Sequence, residues 1–397
     1  MTATETTVEQ HPATRAVHVS APRPEHSQPL SVPIYQAANF AFEDPDALAD
    51  SMERPDGPFV YSRYGNPTIR ALERAVADLE GGVAAIATAS GMGAINSVLL
   101  ATLNAGDHVI AQDCLYGGTY ASLRDLAARF GVEVTFVPGD DPAEVAAAVR
   151  PNSRMLYLET IANPVTKVVD LPAFLAAGER AGLMTIVDNT FATPLLCQPI
   201  RLGADAVVHS ATKYLGGHSD VIGGIVVLAE EQRYRHTWHH AMELGACADP
   251  FAAWLTIRGL HTLPLRIREQ CANARVLADR LAGHPAVESV RWPGRIDHPD
   301  HQVAARHLAD YGAIVAFELA GGREAGHALG KRVRLAKLAG SLGGVETTLL
   351  HPASTSHRQL DPEALRAAGI GEGTVRLSVG VEHVEDLWAD LARALPR

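Results

Sequence analysis

Seven short apolar runs, at 84–88, 108–112, 133–137, 154–158, 185–188, 206–209 and 224–228, constrain this chain more than any other feature. Each is the length of a strand and reads as one covered on both faces. The segments 92–103, 118–130, 142–150 and 171–181 between them carry Ala, Leu and Arg in a helical pattern. Such alternation predicts an α/β fold, a mostly parallel seven-stranded sheet between helices, because each parallel connection must cross a face of the sheet. In these sheets ligands collect at the carboxyl ends of the strands. Ser90-Gly91, Tyr116, Asn163, Asp188 and Lys213 all fall just after a predicted strand.

The remainder divides around that core. Residues 1–60 are rich in proline and polar residues without a sustained period, which predicts an extended N-terminal arm. At Asn66-Pro67 a helix begins, with a capping amide followed by a proline suited to the first helical position. Ile69, Leu72, Val76 and Leu79 follow at helical spacing, and Gly81-Gly82 ends it. After about residue 250 the texture changes to a long helix over 251–281, strands at 287–291, 312–319 and 375–379, and helices at 323–330 and 384–394. A chain of 397 residues exceeds one ordinary core. We expect an arm over 1–60, a ligand-binding α/β domain over 61–250 and a smaller α+β domain over 251–397.

Charge and composition exclude several partners. Lys and Arg number 34 against 45 Asp and Glu, a formal net charge of −11. That balance repels phosphate backbones, so nucleic acid is not an expected partner. The most apolar stretch, 91–103, is interrupted by Asn96, Ser97 and Thr102 and is too short to span a bilayer. No membrane partner is expected. Met1–Gln10 is polar and acidic, unlike a secretory signal. Cys114, Cys197, Cys247 and Cys271 are scattered, as reduced thiols are, which predicts a cytoplasmic protein.

Lys213 follows a strand beside the hydroxyls of Ser210 and Thr212. A lysine so placed can attack a carbonyl, and the hydroxyls can hold an anion. Taken singly it is as readily a solvated surface charge. Ser90-Gly-Met-Gly93 opens a helix directly after a strand, where free N–H groups and the helix dipole favour phosphate. The near-pattern Gly-x-Gly-x-x-Asn over 91–96 lacks the third glycine of a dinucleotide fingerprint, which makes a nicotinamide dinucleotide the poorer reading. An anion site, the acid Asp188 and Lys213 on one sheet edge describe pyridoxal phosphate. The lysine forms an imine, and the acid keeps the pyridine nitrogen protonated so that the ring accepts electrons. His236, His239 and His240 have partial metal spacing, but no carboxylate or cysteine pattern joins them, so no metal is expected. These histidines and His298-Pro-Asp-His301 read as surface or interface clusters.

Eight motifs then occur in order: Tyr61-Ser-Arg-x-x-Asn-Pro-Thr68, Ser90-Gly-Met92, Leu115-Tyr-Gly-Gly-Thr119, Glu159-Thr-x-Ala-Asn-Pro164, Val187-Asp-Asn-Thr190, Ser210-Ala-Thr-Lys-Tyr-x-x-Gly-His218, Ser341-Leu-Gly-Gly344 and Arg376-Leu-Ser-Val-Gly380. Over residues 15–395 the chain resembles the trans-sulfuration family of Cys/Met-metabolism pyridoxal-phosphate enzymes, which have the fold type I of such enzymes. The resemblance implies that Lys213 carries the cofactor and shuttles protons, that Asp188 holds the pyridinium, and that Tyr116 stacks on the ring and acts as acid or base near the leaving group. It implies a phosphate site of Ser90, Gly91, Met92, Ser210 and Thr212, reached from the adjacent subunit by Tyr61 and Arg63. A homo-oligomer follows, a tetramer built as a dimer of catalytic dimers. The substrate is then a small amino acid whose α-carboxylate Arg376 clamps with the help of Ser341. Asn163 would bond the cofactor's ring oxygen or that carboxylate.

Two positions bear on the substrate and point opposite ways. Gly340 stands where cystathionine enzymes of the family usually carry a glutamate that meets the distal ammonium, which favours an uncharged side chain such as that of methionine. Gly118 stands where family members specialised for methionine carry cysteine, and His218-Ser219-Asp220 also looks like the cystathionine branch. The expected activity is γ-elimination on methionine. Elimination from cystathionine, γ-replacement on an O-acylhomoserine, and a catalytically silent cofactor-binding regulator are the alternatives.

Overall fold

The computed structural model describes residues 11–18, 29–52, 54–358 and 362–396. Met1–Gln10, Pro22 and Pro24 lie outside them. Where an extended arm was expected, the described residues include two short helices, Pro12–Val17 and Pro45–Met52. Each begins on a proline, whose fixed φ suits a first turn. His11 Nδ1 accepts the Ala13 N–H at 3.1 Å, and Asp44 Oδ1 accepts that of Asp46 at 3.0 Å. Helices of six and eight residues are too short to leave a periodic signal.

The central sheet contains β1 (Ala84–Thr88), β2 (His108–Gln112), β3 (Glu133–Val137), β4 (Ser153–Glu159), β5 (Met184–Asp188), β6 (Ala206–Ser210) and β7 (Gly224–Leu228). Their spatial order is β1-β7-β6-β5-β4-β2-β3. All seven expected strands are present. Strands β3, β2, β4, β5 and β6 run parallel, whereas β7 is antiparallel to both β6 and β1. The connection that leaves β6, residues 211–223, forms no crossover helix, in keeping with that reversal, and it carries Lys213.

Alternate residues of one strand enter different cores. Val187 and Val207 pack with Leu72, Ile257 and Leu260 on one face, while Ile186 and Val208 pack with Leu99, Val109 and Trp238 on the other. Burial on both faces is why these strands read as unbroken apolar runs. The helix Pro67–Glu80 starts where Asn66 Oδ1 accepts the Thr68 N–H at 2.9 Å and stops at Gly81, with φ of 79°. Only glycine adopts that left-handed geometry without strain.

A second sheet follows, made of β8 (Val287–Arg291), β9 (Ile314–Leu319), β10 (Lys337–Leu338), β11 (Thr348–Leu350) and β12 (Thr374–Ser378), in the order β10-β11-β12-β9-β8. The 33-residue helix Pro250–Ala282 packs against both Pro67–Glu80, beside the first sheet, and β8 of the second. No helix of the described residues is long and apolar enough to cross a membrane. His298 departs from its surface expectation: it is 5% exposed, because the turn folds back and its Nδ1 accepts the Asp300 N–H at 3.1 Å.

Candidate active site

The strand ends of the first sheet and the loop before β11 enclose a cavity of about 590 Å³. Ser90, Gly91, Met92, Tyr116, Asn163, Asp188, Ser210, Thr212, Lys213, Gly340, Ser341 and Arg376 line it. Residues from seven separate motifs therefore meet at one place.

At one end lies the start of the helix Gly91–Thr102. Ser90 Oγ caps it by accepting the Gly93 N–H at 3.0 Å, and Gly91 and Met92 are its first two helical residues. Their N–H groups precede the first intrahelical bond and can receive an anion. A Cβ at Gly91 would stand 2.8 Å from Ser210 Cβ, so only glycine lets this helix start approach β6 so closely. Thr212 Oγ1 accepts the Gly223 N–H at 3.1 Å and so braces the lysine turn.

At the other end Asp188 closes β5, where its Oδ1 accepts the Thr190 N–H at 3.0 Å. Burial raises its carboxyl above the usual range, against the opposing pull of that bond, His209 and Lys213. A cationic ring nitrogen would reverse the shift, since an opposite charge favours the ionised acid. Lys213 Nζ donates to Ser341 Oγ at 2.7 Å. Burial, with the Arg376 guanidinium adding to it, lowers its amine to about 8, while Asp188 opposes. Ser341 itself has φ of 63°, a left-handed conformation unusual for a residue with a side chain.

Arg376, on β12, is 4% exposed. Its Nη1 donates to Asn163 Oδ1 at 2.8 Å and its Nη2 to the Ser341 carbonyl. Its buried Nε has no partner among the described residues. Burial lowers its guanidinium to about 10. Such a fork, still holding an unused donor, suits a carboxylate.

The helix Pro250–Ala282 holds both walls of the cavity. Arg266 Nη1 donates to the Tyr214 carbonyl at 2.9 Å, beside the lysine, and Gln270 Nε2 donates to the Gly344 carbonyl at 2.7 Å, in the serine loop. A Cβ at Gly259 would stand 2.2 Å from the Gly216 carbonyl oxygen, so the helix crosses the lysine turn in direct contact.

Tyr116 precedes the helix Gly117–Phe130 and is half exposed. Its ring lies over Gly118, where a Cβ would come within 2.5 Å of Tyr116 Cε1 and 2.7 Å of Met92 Sδ. Gly118 is thus beneath the lining rather than in it. Tyr61 and Arg63 are not brought to the cavity within their own chain. Arg63 Nη1 donates to the Met242 carbonyl at 2.7 Å, and its guanidinium sits 4.7 Å from the Tyr64 ring centre. Glu159, Ile161, Phe191, Leu338 and Leu350 line the cavity without having been singled out. Glu159 ends a buried strand as Asp188 does, so the same rule could have found it; the apolar residues carry no such signal.

An anion cradle at one end, a buried acid at the other and an amine of lowered basicity between them fit pyridoxal phosphate. This sheet and this donor set define an enzyme dependent on that cofactor. The family model of Cys/Met metabolism PLP-dependent enzymes matches residues 13–396, and the chain belongs to that family. It is 46% identical over 370 residues to an L-methionine gamma-lyase of Fusobacterium nucleatum subsp. nucleatum, covering 93% of this chain and 94% of the relative. A cystathionine gamma-lyase of Bacillus subtilis is 40% identical over 96% of this chain and 98% of its own. The crystal structure of cystathionine gamma synthase from Xanthomonas oryzae pv. oryzae in complex with cystathionine superposes with a TM-score of 0.91 at 39% identity, over 97% of each chain.

Proposed function

We propose that this chain catalyses γ-elimination on methionine, a methionine γ-lyase activity that yields 2-oxobutanoate, ammonia and methanethiol. The observation that carries the reading is the open space at Gly340, where a Cβ would meet nothing within 4 Å. Beside it Leu338 and Leu350 present apolar surface, and the only carboxylates among the described lining residues are Asp188 and Glu159 at the strand ends. A thioether finds apolar contact there, while the distal ammonium of cystathionine finds no acid. The L-methionine gamma-lyases of Fusobacterium nucleatum and Porphyromonas gingivalis, 46% and 44% identical, support the same choice.

Bound pyridoxal phosphate supplies an electron sink conjugated to the substrate Cα. The roles of this chain's residues follow from their chemistry. Arg376 orients the α-carboxylate through its free donor capacity, with Ser341 beside it. Lys213 Nζ takes the Cα proton, becomes an ammonium, and has to pass that proton on before the neutral amine takes one from Cβ; an amine lowered to about 8 gives up and regains a proton readily near neutral pH. Tyr116 Oη delivers a proton to the departing γ-sulfur. Asp188 retains the proton on the ring nitrogen, and the helix start at Gly91 and Met92 holds the phosphate.

The assembly belongs to the same proposal. Tyr61 and Arg63 lie off their own chain's cavity, and we assign them to a partner's phosphate site in a homotetramer of catalytic dimers. We place the protein in the cytoplasm. Its division at residues 60 and 250 draws support from the two sheets, the first ending at Leu228 and the second beginning at Val287.

Gly118 favours a second reading, elimination from cystathionine or γ-replacement on an O-acylhomoserine, because the cysteine expected of a methionine enzyme would strike the Tyr116 ring. The experiment is 2-oxobutanoate release from methionine, cystathionine, homocysteine and O-acylhomoserines, with and without added thiol. Methionine should be fastest without thiol. Faster release from cystathionine, or a thiol-dependent loss of release in favour of a new thioether, would overturn the choice.

A further inference from the structure

Among the described residues that line the cavity, Glu159 is the one ionisable side chain the reaction above leaves unused. It ends β4 directly beside Asp188, its register partner on β5. The two side chains share a face of the sheet, because each lies two residues beyond a member of the same apolar cluster, Tyr157 and Ile186. Glu159 is 4% exposed.

Two carboxylates side by side in a buried site do not both ionise. Burial and the neighbouring Asp188 push Glu159 well above the usual carboxyl range, more strongly than its hydrogen bonds pull it down. Asp188 has the Thr190 N–H, His209 and Lys213 to favour its charge. Glu159 is the member pushed further toward its neutral form.

Its bonds run to the segments that carry the site. Glu159 Oε1 accepts the backbone N–H of Tyr116. Its own N–H donates to Gln112 Oε1 at 3.1 Å, at the end of β2 and upstream of Tyr116. The helix that Tyr116 precedes has no side-chain cap of its own, so this contact fixes how the chain enters it.

We propose that Glu159 is a positioning residue: its side chain receives the main-chain N–H of Tyr116 and thereby sets where the phenol meets the substrate. This rests on Tyr116 serving as the proton donor to the leaving group. Glu159 touches neither the leaving group nor the Cα proton in this role.

The test compares holoenzyme carrying Glu159→Ala with holoenzyme carrying Glu159→Gln. Two rates are read on whichever amino acid the wild type turns over: 2-oxoacid release, and exchange of the substrate Cα hydrogen for deuterium in D₂O. Exchange uses Lys213 but not Tyr116, so Glu159→Ala should keep its visible cofactor absorbance and exchange rate while its kcat for release falls at least about tenfold, the usual scale of a misplaced acid. Glu159→Gln offers an uncharged carbonyl oxygen at the same place and should recover most of that loss. Release and exchange falling together, a glutamine variant as impaired as the alanine one, or an alanine variant with undiminished kcat would each overturn the proposal. A wrong substrate choice shows already in the wild type, whereas a wrong role for Glu159 shows only in the variants.

Discussion

Lys213 Nζ and Ser341 Oγ stand 2.7 Å apart, and that hydrogen bond joins the two sheets across the cavity. The lysine leaves β6 of the first sheet, and the serine belongs to the loop between β10 and β11 of the second. The amine thus loses water on both sides, and its lowered basicity follows from where two parts of the fold meet.

Capture of the cofactor by cofactor-free protein should titrate with this amine. Only the neutral form attacks an aldehyde, so the rate should rise as pH increases through about 8 and level off above it. Stopped-flow absorbance after mixing with pyridoxal phosphate reads the midpoint. A midpoint at 10.5, the ordinary lysine value, would show that burial and Arg376 do not act on Lys213.

Lys213→Ala should remove both the visible absorbance of the bound cofactor and all 2-oxoacid release. Absorbance spectra of the purified variant, taken after reconstitution and desalting, settle the first half. Retained colour would mean that another amine carries the cofactor.

Arg376→Lys keeps a charge but loses the planar fork and the bonds to Asn163 and Ser341. Charge-assisted bonds to a carboxylate contribute roughly 1.5–3 kcal/mol, so KM should rise about ten- to a hundredfold with a smaller change in kcat. Steady-state kinetics on the preferred amino acid measure the split. An unchanged KM would remove the carboxylate role.

Gly340→Glu should fold normally, because the added side chain enters open space and the glycine needs no left-handed φ. The new acid should raise kcat/KM for cystathionine relative to methionine by about ten- to a hundredfold, the worth of one charge-assisted contact. Paired assays with the two substrates measure the ratio, and a fixed ratio would show that position 340 does not face the distal group.

Gly118→Ala should slow turnover by at least about tenfold, since even one methyl group displaces Tyr116 from its seat. The visible spectrum should persist, as Lys213 and Asp188 are untouched. Turnover equal to wild type would mean that the ring is free to relocate without loss.

Much of this architecture is legible in the chain because the central strands are buried twice over. Val187 and Val207 serve one core, Ile186 and Val208 the other, and continuous apolar runs result. The strands β10 and β11 are two and three residues long and leave no comparable trace. The helix Glu231–Leu244 was not anticipated either: its polar, histidine-rich stretch buries only a narrow stripe that includes Trp238 and Met242. Asp188 and Lys213 could be found because chemistry demands their types at strand ends. Ser341 and Arg376 reach them from more than a hundred residues away, and only a motif, not a period, points to such a meeting. Tyr61 and Arg63 do not meet the cavity of their own chain, so no reading of one chain's packing could place them in it.

The grip of Arg266 and Gln270 has a wider bearing. They lie one turn apart on a single helix, and a turn of four residues advances about 6 Å whatever surrounds it. The span between the lysine turn and the serine loop is therefore gauged by helix pitch, not left to the softness of two loops. Gly340, by contrast, sits in open space and bears no part of that gauge. Tolerance at the reacting atoms and freedom at the selecting ones are kept on separate components, so a lineage can recut what the cavity accepts without recalibrating where the proton moves.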